Sequence, residues 1–290
     1  MSLNISNAQR AEVLTQALPH IQKYYDKIVV VKYGGNAMVS EELKNQVMED
    51  IILLHLIGVK VVLVHGGGPE ITEALGKYGK ESVFVDGLRV TDKESANIVQ
   101  MVLAGKVNKA LVNLIQSKGG NAVGLSGIDG GMIQAKMLDE KYGYVGEITD
   151  VNVSPILDML SHGYIPVVST VGCDREGNVY NINADTAAAR IAGALHAERL
   201  ITLTDIVGLL RDVGDPNSLI SNIHIAEAEA MIESGAISGG MIPKIKCCID
   251  AIYHGVEKVI ILDGRVPHAI LLEMLTNEGA GTMVSELEER

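Results

Sequence analysis

Two lysines, one aspartate and three glycine turns carry the chemistry that can be read in this 290-residue chain. Lys32 closes the run Ile28-Val29-Val30-Val31, and Gly34-Gly35 come one residue later. An unbroken β-branched run suits a strand buried on both faces of a parallel sheet. The lysine then stands at the strand's C-terminal end, where open α/β sheets place ligands. Gly34 and Gly35, leading into a helix-like segment, let backbone N–H groups approach an anion closely. On its own this is equally a buried strand, a snorkelling lysine and an ordinary turn. The design recurs, however: the apolar run 59–64 ends in His65-Gly66-Gly67-Gly68-Pro69, again before a helix-like stretch. Two such turns argue for a shared anion or backbone-contact site. A third turn, Ile237-Ser238-Gly239-Gly240-Met241-Ile242-Pro243, puts Lys244 at its exit.

Asp185 opens an Ala-rich helical pattern, and Asn181 and Asn183 before it share one face if extended. A carboxylate there can be a cap or a first-turn charge; its polar company directly after a strand favours a functional role. Arg89 precedes Thr91 and Asp92, either of which can cap a long helix over 93–117. It is placed for a bidentate grip on a carboxylate, although a loop arginine is by default simply exposed. Thr204-Asp205 ends a further short strand, with Gly208 after it. No GxxxxGK[ST] occurs, nor GxGxxG after a strand, so the Walker-type and dinucleotide-fold readings are both poor.

The elements that must position these residues alternate. Helices are expected over 41–57 (capped by Ser40), 156–162, 225–235, 245–254 and 268–275, with strands over 164–170, 200–203 and 258–262 and a last one near 279–284 closing the sheet. Segment 122–151 reads as short strands and hairpins at an edge. This alternation predicts an α/β fold, a mostly parallel sheet with helices on both faces. Residues 7–27 carry a helical apolar face interrupted by Pro19, which should kink or divide it. That helix either packs on its own domain or serves as an arm for another subunit.

Composition sets the bounds. Residues are 47% hydrophobic, with no Trp and one Phe, so Val, Ile, Leu, Ala and Met build the core. A net charge of −12 argues against nucleic-acid or anionic-membrane partners, so any positive field for an anionic substrate is local. Cys173, Cys247 and Cys248 fit small buried hydrophobes in a reducing compartment. The N-terminal stretch has no basic n-region or apolar h-region, and the apolar stretch 51–64 is too short and too interrupted to span a bilayer. A cytoplasmic protein is expected.

KYGGNAM, VHGGGP, DGLRVT, GYIPVVS, NINADTAA, LTDIVGLL and GGMIPK occur in this order across nearly the whole chain. Together they resemble the amino acid kinase family, and within it the members that phosphorylate N-acetyl-L-glutamate. The resemblance implies a three-layer αβα sandwich with an N-terminal kinked oligomerisation helix (1–27), an acetylglutamate-binding lobe (28–197) and an ATP-binding lobe (198–290). The implied reaction moves the γ-phosphoryl of ATP to the γ-carboxylate of N-acetyl-L-glutamate, with Mg²⁺ carried by ATP and no metal site of the protein's own. Motif by motif, Lys32, Lys244 and Asp185 match the catalytic residues. Gly67, Gly68, Arg89 and Asn181 match the substrate site; Gly34, Gly35, Thr204, Asp205, Gly208, Leu210, Ile237 and Ser238 match the phosphate and ATP site. Arginine-inhibited members interlace dimers into a hexamer, a trimer of dimers, through a kinked N-terminal helix. They bind arginine beside it, and the matching region here includes His268, Glu273 and Gly281. Some members also bind the nitrogen-sensing PII protein, a candidate partner. Kinases of a related carboxylate (glutamate, acetylaminoadipate) are the near alternative, against which the DGLRVT and NINAD pair argues. A non-catalytic arginine- or nucleotide-binding regulator is the distant one, against which Lys32, Lys244 and Asp185 together argue.

Overall fold

The computed structural model describes residues 6–35, 40–212, 214–215 and 217–286. The helix-like turn expected after Gly35 begins on residues 36–39, outside the described residues. The buried apolar runs become one eight-stranded sheet. Its strands are β1 (Ile28–Tyr33), β2 (Lys60–His65), β3 (Ala122–Ser126), β4 (Ile165–Ser169), β5 (Arg199–Thr204), β6 (Asn222–His224), β7 (Lys258–Asp263) and β8 (Gly281–Ser285), in the spatial order β6-β8-β7-β5-β1-β2-β4-β3. All neighbours are parallel except β7 and β8. Val29, Val30 and Val31 have no exposed surface at all, which is why β1 shows no alternation.

Helices cover both faces. They are α1 (Asn7–Gln16), α2 (Leu18–Tyr24), α3 (Glu41–Leu56), α4 (Gly68–Lys77), α5 (Lys93–Ser117), α6 (Ser154–Ser161), α7 (Ala184–Ala194), α8 (Ile225–Glu233), α9 (Met241–Tyr253) and α10 (Ala269–Leu275). Ile156, Ala188, Ala228 and Ile249 place α6, α7, α8 and α9 in the core on one side of the sheet. Met48, Ile71, Leu103 and Ile270 place α3, α4, α5 and α10 in the core on the other. The alanines of α7 have a positional reason: small side chains let this helix lie close over β1 and β5. Helix α5 is long and apolar enough to cross a membrane by length and composition, but its apolar side belongs to the core. Its middle turns, Met101–Val107, are π-helical.

Smaller elements complete the picture. Ile133–Met137 and Gly146–Val151 form an antiparallel pair in a second, four-stranded sheet with Val171–Cys173 and Val179–Asn181. Phe84–Val85 and Leu88–Arg89 make a short hairpin. Segment 122–151 thus supplies an edge strand of the main sheet and a hairpin, as expected. The last strand differs from expectation: β8 does not close the sheet, because β6 pairs beyond it. Asn222-Ile223-His224 is too short and polar to show an apolar run, so it escaped notice. Helix α9 also begins four residues earlier than its apolar period suggested. Pro243 sits in its first turn, where a missing N–H is harmless.

Pro19 divides the N-terminal helix as its position demanded. Helix α1 ends at Gln16, and Pro19 lies in the first turn of α2. Helix α1 buries no residue, and Leu14 is 75% exposed. Helix α2 is held by Tyr24, which lies under the guanidinium of buried Arg199 at 5.5 Å.

One buried carboxylate ties α3 to α10. Asp50 Oδ1 lies 2.5 Å from His268 Nδ1, and among the described residues Asp50 Oδ2 has no hydrogen-bond partner. Burial pushes the Asp50 carboxyl up to about 6, against the hydrogen bond and charge of His268. The folded value exceeds the unfolded one, so this group favours folding below about pH 4 and that contribution is lost as pH rises through about 6. The difference is about 3 kcal/mol. Asp50→Asn should remove it: from pH 4.5 to 7.5, urea midpoints of the wild type should fall relative to those of the variant. Parallel midpoints across that range would show Asp50 to be ionised throughout.

Candidate active site

Register brings the glycine turns together. Strands β1 and β2 pair with Tyr33 beside His65, so Gly34-Gly35 and Gly66-Gly67-Gly68 emerge side by side, joined by Gly66 N–H donating to Tyr33 O at 3.1 Å. The chain steps from β1 to β2 on one side and returns to β5 on the other. The C-terminal end of β1 is therefore the switch point where such sheets open a crevice. Gly35 has φ +66°, a left-handed conformation that glycine adopts without strain.

Lys32 lies at this point, 7% exposed, with its ammonium 2.8 Å from Asp185 Oδ1. Asp185 is delivered by the first turn of α7. Asn183 is the cap, its Oδ1 accepting from the N–H groups of Asp185 and Thr186. Asp185 is thereby freed from capping and turned toward the lysine. Burial opposes ionisation of Asp185; the charge and hydrogen bond of Lys32 and the charge of Lys244 outweigh it and hold the carboxyl below its usual range. Lys244, in the first turn of α9, lines one small cavity with Asp185, Thr202, Thr204 and Cys247. Burial pushes the Cys247 thiol up to about 12, so it stays neutral beside the two lysines. Lys32 and Lys244 thus approach one carboxylate from opposite halves of the chain.

A cleft of about 350 Å³ opens on one side of this pair, lined by Gly34, Gly35, Gly67, Gly68, Arg89 and Asn181 together with Lys32 and Asp185. Arg89 is not the exposed loop residue of the default reading. It sits in the Leu88–Arg89 strand, 7% exposed, with its guanidinium 4.6 Å from the Phe84 ring centroid. Its Nη1 donates to Ser82 Oγ, and its Nη2 donates to Gly68 O and Thr72 Oγ1, each at 2.9 Å. These contacts fix the fork before any ligand arrives. Asn181 Nδ2 donates to Thr91 Oγ1 at 3.3 Å. Asp92, not Thr91, caps α5.

Lys244 also lines a second cavity, of about 600 Å³, whose lining includes Asp205, Gly208, Leu210, Ile237 and Ser238. Gly208 has φ +136°, and a Cβ there would come within 2.6 Å of Thr282 Oγ1. Thr204 does not line this space but belongs to the small cavity between it and Asp185. Glu273 and Gly281 share a third cavity, of about 560 Å³, with Lys23 and Tyr24 of α2. His268 is not among its lining residues; it stands at the head of α10 against Asp50.

Several lining residues were missed. Thr170 and Val145 line the cleft beside Asn183, which the polar cluster before Asp185 had already marked, and Met241 and Arg265 line the larger cavity. Arg265 is held by Asp263 through two 2.8 Å contacts, from its Nε and its Nη2. Its place directly after Asp263-Gly264 at a strand end was the available signal. The second sheet that carries Val145 left no comparable mark.

Comparison with known proteins agrees with this geometry. Residues 27–263 match the model of the amino acid kinase family. The acetylglutamate kinase of Brachyspira hyodysenteriae is 55% identical over 97% of this chain and 98% of its own length. That of Clostridium beijerinckii is 53% identical over 97% and 99%. Among solved structures, an N-acetylglutamate synthase from Neisseria gonorrhoeae complexed with coenzyme A and N-acetyl-glutamate superposes with a TM-score of 0.83 at 25% identity, over 96% of this chain and 64% of that one. The two-lysine site, the sheet that presents it and these similarities have one reading: the chain belongs to the amino acid kinase family.

Proposed function

We propose that this enzyme transfers the γ-phosphoryl of ATP to the γ-carboxylate of N-acetyl-L-glutamate, giving an acyl phosphate and ADP. The observation that carries the reading is the Lys32–Asp185 pair at 2.8 Å, which lines the Arg89 cleft while Asp185 also lines the small cavity it shares with Lys244. A carboxylate nucleophile is already ionised at pH 7, so no general base is required. One carboxylate oxygen forms the new P–O bond as the bond to the β-phosphate oxygen breaks, and the negative charge leaves with ADP. Rate then depends on holding the partners in line and neutralising the oxygens of the phosphoryl group.

The roles follow from position. Residues 28–197 form the substrate lobe: Arg89 grips the α-carboxylate, Asn181 the acetamido end, and the turns at Gly34-Gly35 and Gly67-Gly68 offer N–H donors. Residues 198–290 form the nucleotide lobe, with the adenosine in the cavity of Gly208, Leu210 and Ile237 and its phosphates directed toward Lys244. Lys32 and Lys244 face the phosphoryl group from opposite sides, and Asp185 limits their mutual repulsion. Among the described residues no three His, Cys, Asp or Glu side chains could hold a metal. Mg²⁺ carried by the phosphates of ATP would add charge neutralisation.

The third cavity supports a regulatory reading. Glu273 could take a guanidinium and Lys23 a carboxylate, so we assign this space to free arginine as a feedback inhibitor. The exposed α1 would interlace dimers into a hexamer.

Lys32→Ala and Lys244→Ala should each lower kcat by about 10²-fold or more while KM values change little. Arg89→Ala should raise KM for N-acetylglutamate far more than KM for ATP. Coupled ADP release on N-acetylglutamate, glutamate and acetylaminoadipate checks both; near-wild-type kcat in both lysine variants would refute the assignment. Millimolar arginine should inhibit the wild type, and light scattering should give a hexamer that becomes a dimer when residues 1–16 are removed. Insensitivity to arginine, or a full-length dimer, would overturn the regulatory reading.

A further inference from the structure

A histidine and an asparagine that touch neither cavity lie buried directly behind the glycine turn. His65, with no exposed surface, ends β2 immediately before Gly66. Its Nδ1 is 2.8 Å from Gly66 O, and its Nε2 is 3.1 Å from Asn108 Nδ2. Asn108, also fully buried, presents the same Nδ2 to Val167 O at 2.8 Å and to Leu125 O at 3.2 Å, and its Oδ1 accepts from Lys109 Nζ at 3.0 Å. Carbonyl oxygens around Nδ2 identify it as the amide nitrogen. His65 Nε2 faces an amide nitrogen that cannot accept, and Nδ1 faces a carbonyl oxygen that cannot donate, so Nδ1 carries the proton and donates to Gly66 O. Burial, with Lys109 nearby, lowers the pKa of this ring to about 4, so it is neutral over any working pH.

Three other features seat this pair. The π turn Met101–Val107 ends directly before Asn108 and so sets the direction in which that side chain leaves α5. Leu103 and Val107 of the same turn pack under Gly67, where a Cβ would meet them at 2.8 and 3.2 Å. Gly124 of β3 leaves the space Asn108 occupies; a Cβ there would lie 2.0 Å from Asn108 Oδ1.

We propose that His65 and Asn108 are positioning residues that lock the Gly66–Gly67 peptide, holding its carbonyl inward and thereby turning the Gly67 N–H outward to the phosphoryl group. The peptide is planar and trans, so its C=O and N–H point in opposite directions. A ring that holds the carbonyl on the buried side commits the N–H to the cleft that Gly67 lines with Lys32 and Asp185. The donor is then in place before reaction, the condition under which such a group accelerates transfer most. This inference rests on the kinase reading above.

The test uses two variants that each keep half of the relay. Asn at position 65 places an amide nitrogen where Nδ1 was and can still hold Gly66 O; Gln reaches Asn108 but leaves Gly66 O unheld. On N-acetylglutamate and ATP, kcat should fall about tenfold or more further in His65→Gln than in His65→Asn, with KM values within about threefold. Melting temperatures should rank the other way, because Gln fills more of the ring's space. Equal losses of kcat, or losses that follow melting temperature, would overturn the proposal. ¹⁵N NMR of the histidine rings in the wild type gives an independent answer even if both variants misfold. The ring that stays neutral down to about pH 5 should carry its proton on Nδ1; an Nε2-protonated ring would refute the contact. Absence of wild-type turnover would refute the kinase reading instead, and the tautomer would still judge the relay.

Discussion

Everything in this structure that concerns chemistry depends on one contact, the 2.8 Å pair of Lys32 and Asp185 at the C-terminal end of β1. Two ammonium groups near one point repel each other unless an anion stands between them. Asp185 supplies that charge in the absence of ligand, and the lysines in turn hold it ionised despite burial. In the proposed reaction, a phosphoryl group arriving between the lysines would meet positive charge already fixed in place. Little rearrangement is then left for the moment of transfer, which is the condition for strong electrostatic catalysis.

The sheet exists in the form that this contact requires. Strand β1 lies between β2, which follows it in the chain, and β5, which comes some 170 residues later. The strand order reverses at the same end where Lys32 emerges, and the helices α7 and α9 bring Asp185 and Lys244 over it. Small residues let this happen at close range: a Cβ at Gly66 would lie 3.2 Å from Ala184 Cβ, in the residue before Asp185. The Arg89 cleft and the small cavity of Lys244 therefore meet at one carboxylate, Asp185, although their residues are far apart in the chain.

Much of this was legible in the sequence, for reasons that differ by element. Strands β1, β2 and β7 are unbroken apolar runs, and the glycine turns that follow β1 and β2 mark the ligand end. The resemblance of the motifs then singled out Asp185, Arg89 and Asn181, which residue types alone left open and which line one cleft in the structure. The polar strand β6 and the start of α9 were not legible, because neither carries an apolar period. His65 stood in plain view inside His65-Gly66-Gly67-Gly68, yet its link to Asn108 depends on a π turn and on a glycine in β3, and local pattern encodes neither. Leu14, on the exposed helix α1, reads as part of an ordinary amphipathic face; in the structure it is 75% exposed among the described residues.

The most direct test of the two-lysine clamp leaves both lysines in place and removes only the charge between them. Asp185→Asn keeps the side chain's size and its place in α7, so the single-turnover rate of acyl-phosphate formation, trapped with hydroxylamine at saturating ATP and N-acetylglutamate, reports the loss of that charge. A fall of about 10²-fold or more with nucleotide affinity nearly unchanged is expected. A rate within about twofold of the wild type would contradict the central role given to the Lys32–Asp185–Lys244 arrangement.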